Sequence, residues 1–272
     1  MSMSFYKYIS YLSVDVAIGA VISSAFVSKL LEVYVPTIVY ITLGLVVWSI
    51  YTFDHLIDAR KGKDQIRLPR HQFHLKHFSR ISASLMIALA MILCCLFMLP
   101  SQVIIVGTAL GLIVILYFIS INFLDWKNVY HKEFTVALVY FSGILVGPVS
   151  SVDFTFEFSQ WFYLFSFFIL VLLNLLIFSK YDQQADRDNN FPSIYRVINR
   201  PLASGFIYFL MLIFTSLIGY DLLVDLTSIS AILGLMFIIL FFIHFYAHTN
   251  LCKSYYRYLG DGIFILPVLY LI

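Results

Sequence analysis

Ser49-Ile-Tyr-Thr-Phe-Asp54-His55-Leu-Ile-Asp58-Ala-Arg60-Lys61-Gly-Lys63-Asp64 closes a long apolar run and fills abruptly with carboxylates and cations. No charged residue stands between Val33 and Phe53. Asp54 and Asp58 are four apart, so on a helix they share one face, one turn apart. Lys180-Tyr-Asp182-Gln-Gln-Ala-Asp186-Arg187-Asp188 repeats the device after a second apolar run. Apolar segments that each end in a pair of aspartates read as membrane helices meeting water.

Composition agrees. The 272 residues are 61% hydrophobic and 12% charged, with mean hydropathy +0.92. Soluble domains are about half apolar and about a quarter charged. The length accommodates roughly nine spans of about 20 residues with short connections. A net charge of +2 gives no footprint for nucleic acid. Cys94 and Cys95 lie in an apolar run and Cys252 near a span end, which suggests neither a disulfide framework nor a zinc site.

The expected spans are 11–31, 35–53, 81–99, 102–121, 132–150, 159–179, 202–220, 226–247 and 257–272. They form an all-α membrane protein in a single domain, 1–272. Pro36, Pro100, Pro148 and Pro201 fall near span ends, where helix punctuation belongs. No small-residue cleavage site follows the first apolar stretch, so that span is expected to be retained. No obligate protein partner is evident.

Basic residues orient the chain. Lys7, then Arg60, Lys61, Lys63, Arg67, Arg70, Lys76 and Arg80, then Lys127 and Lys132, then Lys180, Arg187, Arg196 and Arg200, then Lys253 and Arg257 alternate to one side. Lys29 falls on the other, with Asp153, Glu157, Asp221 and Asp225. The expectation is a bacterial cytoplasmic membrane with the amino terminus and both acidic motifs in the cytoplasm and the carboxyl terminus outside. Two spans, an acidic–basic loop and two spans occur twice, with one span left over. That predicts two four-helix halves around a central cavity, with the motifs facing each other.

Magnesium favours oxygen ligands and combines one or two carboxylates with substrate phosphates. Asp54 with Asp58, and Asp182 with Asp186, each offer a pair, and Asp64 is a further candidate ligand. Charge developing on a metal-bridged diphosphate is neutralised in place. Lys61, Arg67, Arg70, Lys132, Lys180 and Arg187 are candidate diphosphate contacts; arginine suits bidentate phosphate binding and lysine acts as a point charge. Against this stands a plainer reading, in which charged loops mark only where spans meet water.

At these residues the chain resembles the UbiA superfamily of intramembrane prenyltransferases. Asp182-Gln-Gln-Ala-Asp186-Arg187 matches that family's second motif, DxxxDR, without a gap. Asp58-Ala-Arg-Lys-Gly-Lys-Asp64 is similar to the first-motif ending of the menaquinone-type branch, and Arg67-Leu-Pro69 lies where many relatives carry an Arg-Pro pair. In this register Asp54 takes a position the family usually fills with asparagine. In the other register Asp54 and Asp58 are the two principal aspartates and Ile50 takes that position. Asn199-Arg200-Pro201 resembles a family phrase that belongs after the first motif; here it reads as a helix start. The resemblance covers the whole chain in topology and about two dozen residues in motif identity. It implies nine helices, magnesium, a prenyl diphosphate donor and a lipophilic aromatic acceptor of the kind used in quinone biosynthesis, with Asp54, Asp58, Asp182 and Asp186 as catalytic residues.

Other residues carry weaker signals. His71, His74 and His77 recur every three residues among Arg70, Lys76 and Arg80, a spacing that drifts around a helix and suits an interfacial basic segment better than a metal. Asp15, Asn174 and His244 are polar within spans and are expected to bond neighbouring helices. Asp125, Glu133 and Lys132 read as topology signals, with Lys132 within reach of a diphosphate. Tyr117, Tyr140, Phe141, Tyr208 and Phe209 belong to an aromatic content of 18% and are read as packing. A terpene cyclase, prenyl transfer to a non-aromatic lipid, and a transporter-like or non-catalytic membrane protein remain as rivals; no half-span broken by Gly and Pro favours a transporter.

Overall fold

The computed structural model describes residues 5–61, 69–123, 132–151, 156–188, 193–224, 227–246, 249 and 255–272. Asp64, Arg67, Lys63, Asp125, Lys127, Asp153, Asp225, Cys252 and Lys253 lie outside the described residues. Among the described residues all regular structure is helical: α1 (Phe5–Tyr11), α2 (Val14–Leu30), α3 (Thr37–Lys61), α4 (Pro69–Lys76), α5 (Phe78–Leu96), α6 (Ser101–Phe123), α7 (Lys132–Val149), α8 (Phe158–Asp188), α9 (Ile194–Val197), α10 (Arg200–Val224), α11 (Ser228–Tyr246), α12 (Tyr256–Gly262) and, after a 3-10 turn at Ile263–Ile265, α13 (Val268–Leu271).

Seven of these helices, α3, α5, α6, α7, α8, α10 and α11, are long and apolar enough to cross a membrane, which fits an integral membrane protein. The other two expected spans take a different form. α2 has 17 residues, so it is about 26 Å long and falls short of a full crossing by length. The expected helix over 257–272 is broken into α12, the 3-10 turn and α13, with Pro267 at the N-terminal boundary of α13. Proline lacks the N–H that a continuous helix would need there.

α8 is the hub. Of its membrane-length window 78% is buried, against 11% for α6. Phe167, Leu170, Leu173 and Ile177 are fully enclosed, and α8 packs on α7, α10, α11 and α12. α2 joins α3, α7 and the C-terminal turn through small residues, Ala17, Ala20, Ser23, Ser24 and Ser28, all buried. Lipid gives no hydrophobic drive between helices, so close approach and interhelical hydrogen bonds hold them. Ser24 Oγ donates to Ile144 O at 2.8 Å, and Tyr40 OH to Ser28 Oγ at 2.8 Å. Far from the acidic motifs, Asp221 accepts from Tyr163 OH at 2.9 Å, Thr227 Oγ1 at 3.2 Å and Ser230 Oγ, joining the ends of α8, α10 and α11.

α2 stops at a left-handed residue. Glu32 has φ 55°, Val33 N–H reaches back to Ser28 O at 2.9 Å and Glu32 N–H to Lys29 O at 3.2 Å. This is the hydrogen-bond pattern that glycine usually supplies at a helix end; here the chain accepts a strained glutamate and turns directly into Pro36 and α3.

α7 approaches α3 through Gly147, where an added Cβ would lie 2.9 Å from Val39 Cγ1 and 3.2 Å from Val35 Cγ1. Gly147→Ala is expected to destabilise the protein by about 1–3 kcal/mol through overpacking, with Val39→Ala restoring part of the loss. Thermal melting of the single and double variants in one detergent checks this; equal melting of wild type and Gly147→Ala would contradict the close approach.

Candidate functional site

Helical geometry persists through both acidic motifs. α3 continues to Lys61 and α8 to Asp188, so Asp54 and Asp58 sit one turn apart, as do Asp182 and Asp186. Asp54, Asp58 and Asp186 are half-buried and Asp182 is buried. Burial, and then the charge of Asp182, push the Asp186 carboxyl up to about 6, while Lys132 and Arg257 pull the other way.

Asp182 has partners that sequence reading did not find. Tyr256 OH donates to Oδ1 and Arg257 NH2 to Oδ2. Both come from α12, more than 70 positions away. The approach depends on Gly260, where an added Cβ would stand 2.5 Å from both Asn174 Oδ1 and Phe178 Cε1 of α8. Only glycine lets α12 lie this close. Asn174, expected to serve helix contact, is thus part of the α8–α12 seam.

α4 forms a third wall. Arg70 donates to Ser10 O at 3.2 Å and lies 3.2 Å from His55 Nε2, while Ser13 Oγ is 3.4 Å from His55 Nδ1. His74 Nδ1 lies 3.0 Å from Arg70 O. The His55 ring centroid is 6.1 Å from that of His71 and 5.1 Å from that of His74. His71 and His74 are buried, which corrects the expectation that these histidines face lipid; of the cations and histidines in that run only Lys76 and Arg80 are exposed. Burial first, then Arg70 and Arg257, drive His71 down to about 4, and burial lowers His74. Both imidazoles are neutral at physiological pH. The same desolvation lowers Arg70, with Arg257 adding to it and Asp261, Asp15 and then Asp182 opposing it.

The expected cations divide. Lys132 lines the cavity end together with Asp54, and its charge acts on Asp186 and His71. Arg70 feels Asp182. Lys180 is instead tied to α11, with Nζ 3.3 Å from His244 O and 3.4 Å from His244 Nε2. Arg187 is exposed. The Lys61 side chain, like Asp64 and Arg67, lies outside the described residues. Glu133, read as a topology signal, is buried and accepts the backbone N–H of Ile194 at 2.9 Å; it fixes the segment after the second motif.

Beside this polar cluster a cavity of about 380 Å³ runs between α3, the end of α5, α6 and α7. On α3 it extends from Val39 to Asp54, about 22 Å along the axis. Its walls are apolar, among them Val46, Ile50, Leu96, Val103, Val114 and Val139, and its polar end carries Asp54, Tyr117 and Lys132. Tyr117 OH is buried without a hydrogen-bond partner among the described residues.

Among the described residues no three His, Cys, Asp or Glu side chains come together as a metal site. The donors present are oxygen pairs. They fit magnesium only as magnesium commonly binds phosphates, with one or two carboxylates and the rest of its shell from phosphate and water.

With a folded-state value near 6, Asp186 favours the folded protein at low pH. Stability therefore falls as pH rises from the ordinary carboxylate range to about 6 and levels off above it. Asp186→Asn is expected to flatten that fall, measured by thermal melting between pH 4 and 7.

Comparison with known protein families, curated proteins and solved structures finds no match for this chain.

Proposed function

We propose that this chain is a magnesium-dependent intramembrane prenyltransferase of the UbiA kind, moving a prenyl group from a prenyl diphosphate to a lipophilic aromatic acceptor. The observation that carries the reading is the long apolar cavity with Asp54 and Lys132 at its end, next to a cluster that holds Arg70, Asp182, Asp186 and Arg257. A molecule with an apolar tail and a polyanionic head matches both parts. The helix pairing supports two related halves: α3 packs on α2 and α5 as α8 packs on α7 and α10, and α2 meets α7 between them. Counting α2 and the broken C-terminal run gives the nine segments of that family, with the motif end cytoplasmic by its basic residues.

In this reading Asp54 with Asp58, and Asp182 with Asp186, would each hold one magnesium ion, which when bound would neutralise charge on the departing diphosphate. Lys132 and Arg70 bind phosphate oxygens. The bond from the allylic carbon to the diphosphate oxygen breaks with its electron pair on oxygen. The aromatic acceptor then forms the new carbon–carbon bond and loses a ring proton, which the released diphosphate takes up. Tyr51, Tyr117 and Tyr140 line the cavity, and their faces favour an allylic cation by roughly 0.5–2 kcal/mol each. Dry walls keep water from capturing it. Capture by a double bond of the same chain would give a cyclase instead, and product analysis with and without acceptor separates the two.

The deciding experiment is turnover of prenyl diphosphates by purified protein. Asp58→Ala and Asp186→Ala are expected to lose magnesium-dependent diphosphate release, by at least about a hundredfold if each removes a charge-stabilising ligand, while still folding with a cooperative melting transition. Full turnover in either variant overturns the reading in favour of a non-catalytic role. The cavity adds an independent prediction. Nothing lies within 4 Å of an added Cβ at Gly111 or Gly143, both in the lining. Gly143→Leu should therefore fold and shift preference toward shorter prenyl diphosphates, read from competition between two chain lengths.

A further inference from the structure

We infer that Arg257, delivered by the C-terminal helix α12, is a diphosphate-binding residue of this site, and that Asp182 competes with the diphosphate for its guanidinium. The inference rests on the prenyl diphosphate reading above and adds a contributor from a third part of the chain.

The geometry of the pair carries it. Arg257 NH2 donates to Asp182 Oδ2 while Tyr256 OH takes Oδ1. The Asp182 side chain is only 9% exposed, but that of Arg257 keeps 38% of its surface open. A guanidinium has five N–H donors in a planar fork, and the bond to Asp182 engages one of its nitrogens. The Phe178 ring lies under it, 5.4 Å from Cζ to centroid. Arg257 also stands where the walls meet: its charge acts on Asp186 of α8 and on Arg70 and His71 of α4. Gly260, one turn further on, allows the close seam with Asn174 and Phe178 that holds α12 there.

A purely structural ion pair needs none of this openness. Two guanidinium groups, Arg70 and Arg257, lie near enough for their charges to act on each other, and the Lys132 ammonium lines the cavity end. A diphosphate head group placed among them meets bidentate donors and relieves the repulsion between the two arginines. Its arrival puts two acceptors, Asp182 and phosphate, on one guanidinium, so removing the Asp182 charge strengthens the bond to phosphate.

Calorimetric titration of inorganic diphosphate into the full-length protein in nanodiscs tests this, first with EDTA and then with magnesium. With EDTA, Arg257→Gln should weaken binding about tenfold or more, the loss expected for a charge-assisted contact. Arg257→Lys should weaken it less, and Asp182→Asn should tighten it. With magnesium the Asp182→Asn effect should reverse, because a metal-holding carboxylate is then missing. Wild-type affinity in a folded Arg257→Gln protein, or no tightening in Asp182→Asn with EDTA, overturns the inference. If Arg257→Gln does not fold, the Asp182→Asn titration decides alone. No binding by wild type under either condition overturns both the inference and the function it rests on. Arg257-dependent binding without prenyl turnover keeps the inference and removes the transferase reading.

Discussion

A carboxylate with little water around it requires a counter-charge, and Asp182 takes one from the far end of the chain. An ionisable group away from water costs on the order of 2.5–3.5 kcal/mol by insertion scales, and breaking a buried pair costs more than the pair contributes. The bonds from Tyr256 and Arg257 therefore constrain where α12 lies, and with it the course of the last segment. Gly260 meets the steric side of that constraint and Asp182 the electrostatic side. From that anchor α12, the 3-10 turn and α13 run against α2 and α11.

Polar groups elsewhere obey the same economy. His55, Ser10, Ser13 and Arg70 form one connected network, with Ser13 in the left-handed region at φ 55°. A serine in that conformation is uncommon and is held by its surroundings. Neutral His71 and His74 fill the space beside Arg70 without adding charge. The result is a cluster with cations and carboxylates near balance, next to a cavity whose walls are almost wholly apolar.

Much of the fold was legible because membrane helices announce themselves by apolar length, and seven of the nine expected segments are such helices. The aspartate pairs were legible because a four-residue spacing is local. Arg257 was not: Asp182 lies 75 positions away, and a cation near a span end reads first as a topology signal. The run Tyr256-Arg257-Tyr258-Leu259-Gly260-Asp261-Gly262 did carry a hint, since two glycines beside an acid and a cation suit close helix packing. Lys180 misled in the opposite way. It stands two residues before Asp182, which on a helix points it to another side, and there it meets His244. The inward histidines of α4 were hidden because a three-residue period says nothing of which face turns inside.

The thin packing of α6 has a consequence for handling the molecule. α6 packs closely on α7, meets α3 through Val103 against Val39 and Phe118 against Phe53, and exposes Ile105, Leu112, Ile113 and Leu116. One wall of the cavity thus leans on whatever amphiphile surrounds the protein. Acyl chains of bilayer thickness brace that wall from outside, whereas short, mobile detergent tails press on it unevenly and can intrude. The solvent of this protein is in that sense a structural component, and the width of its interior is shared property of chain and lipid.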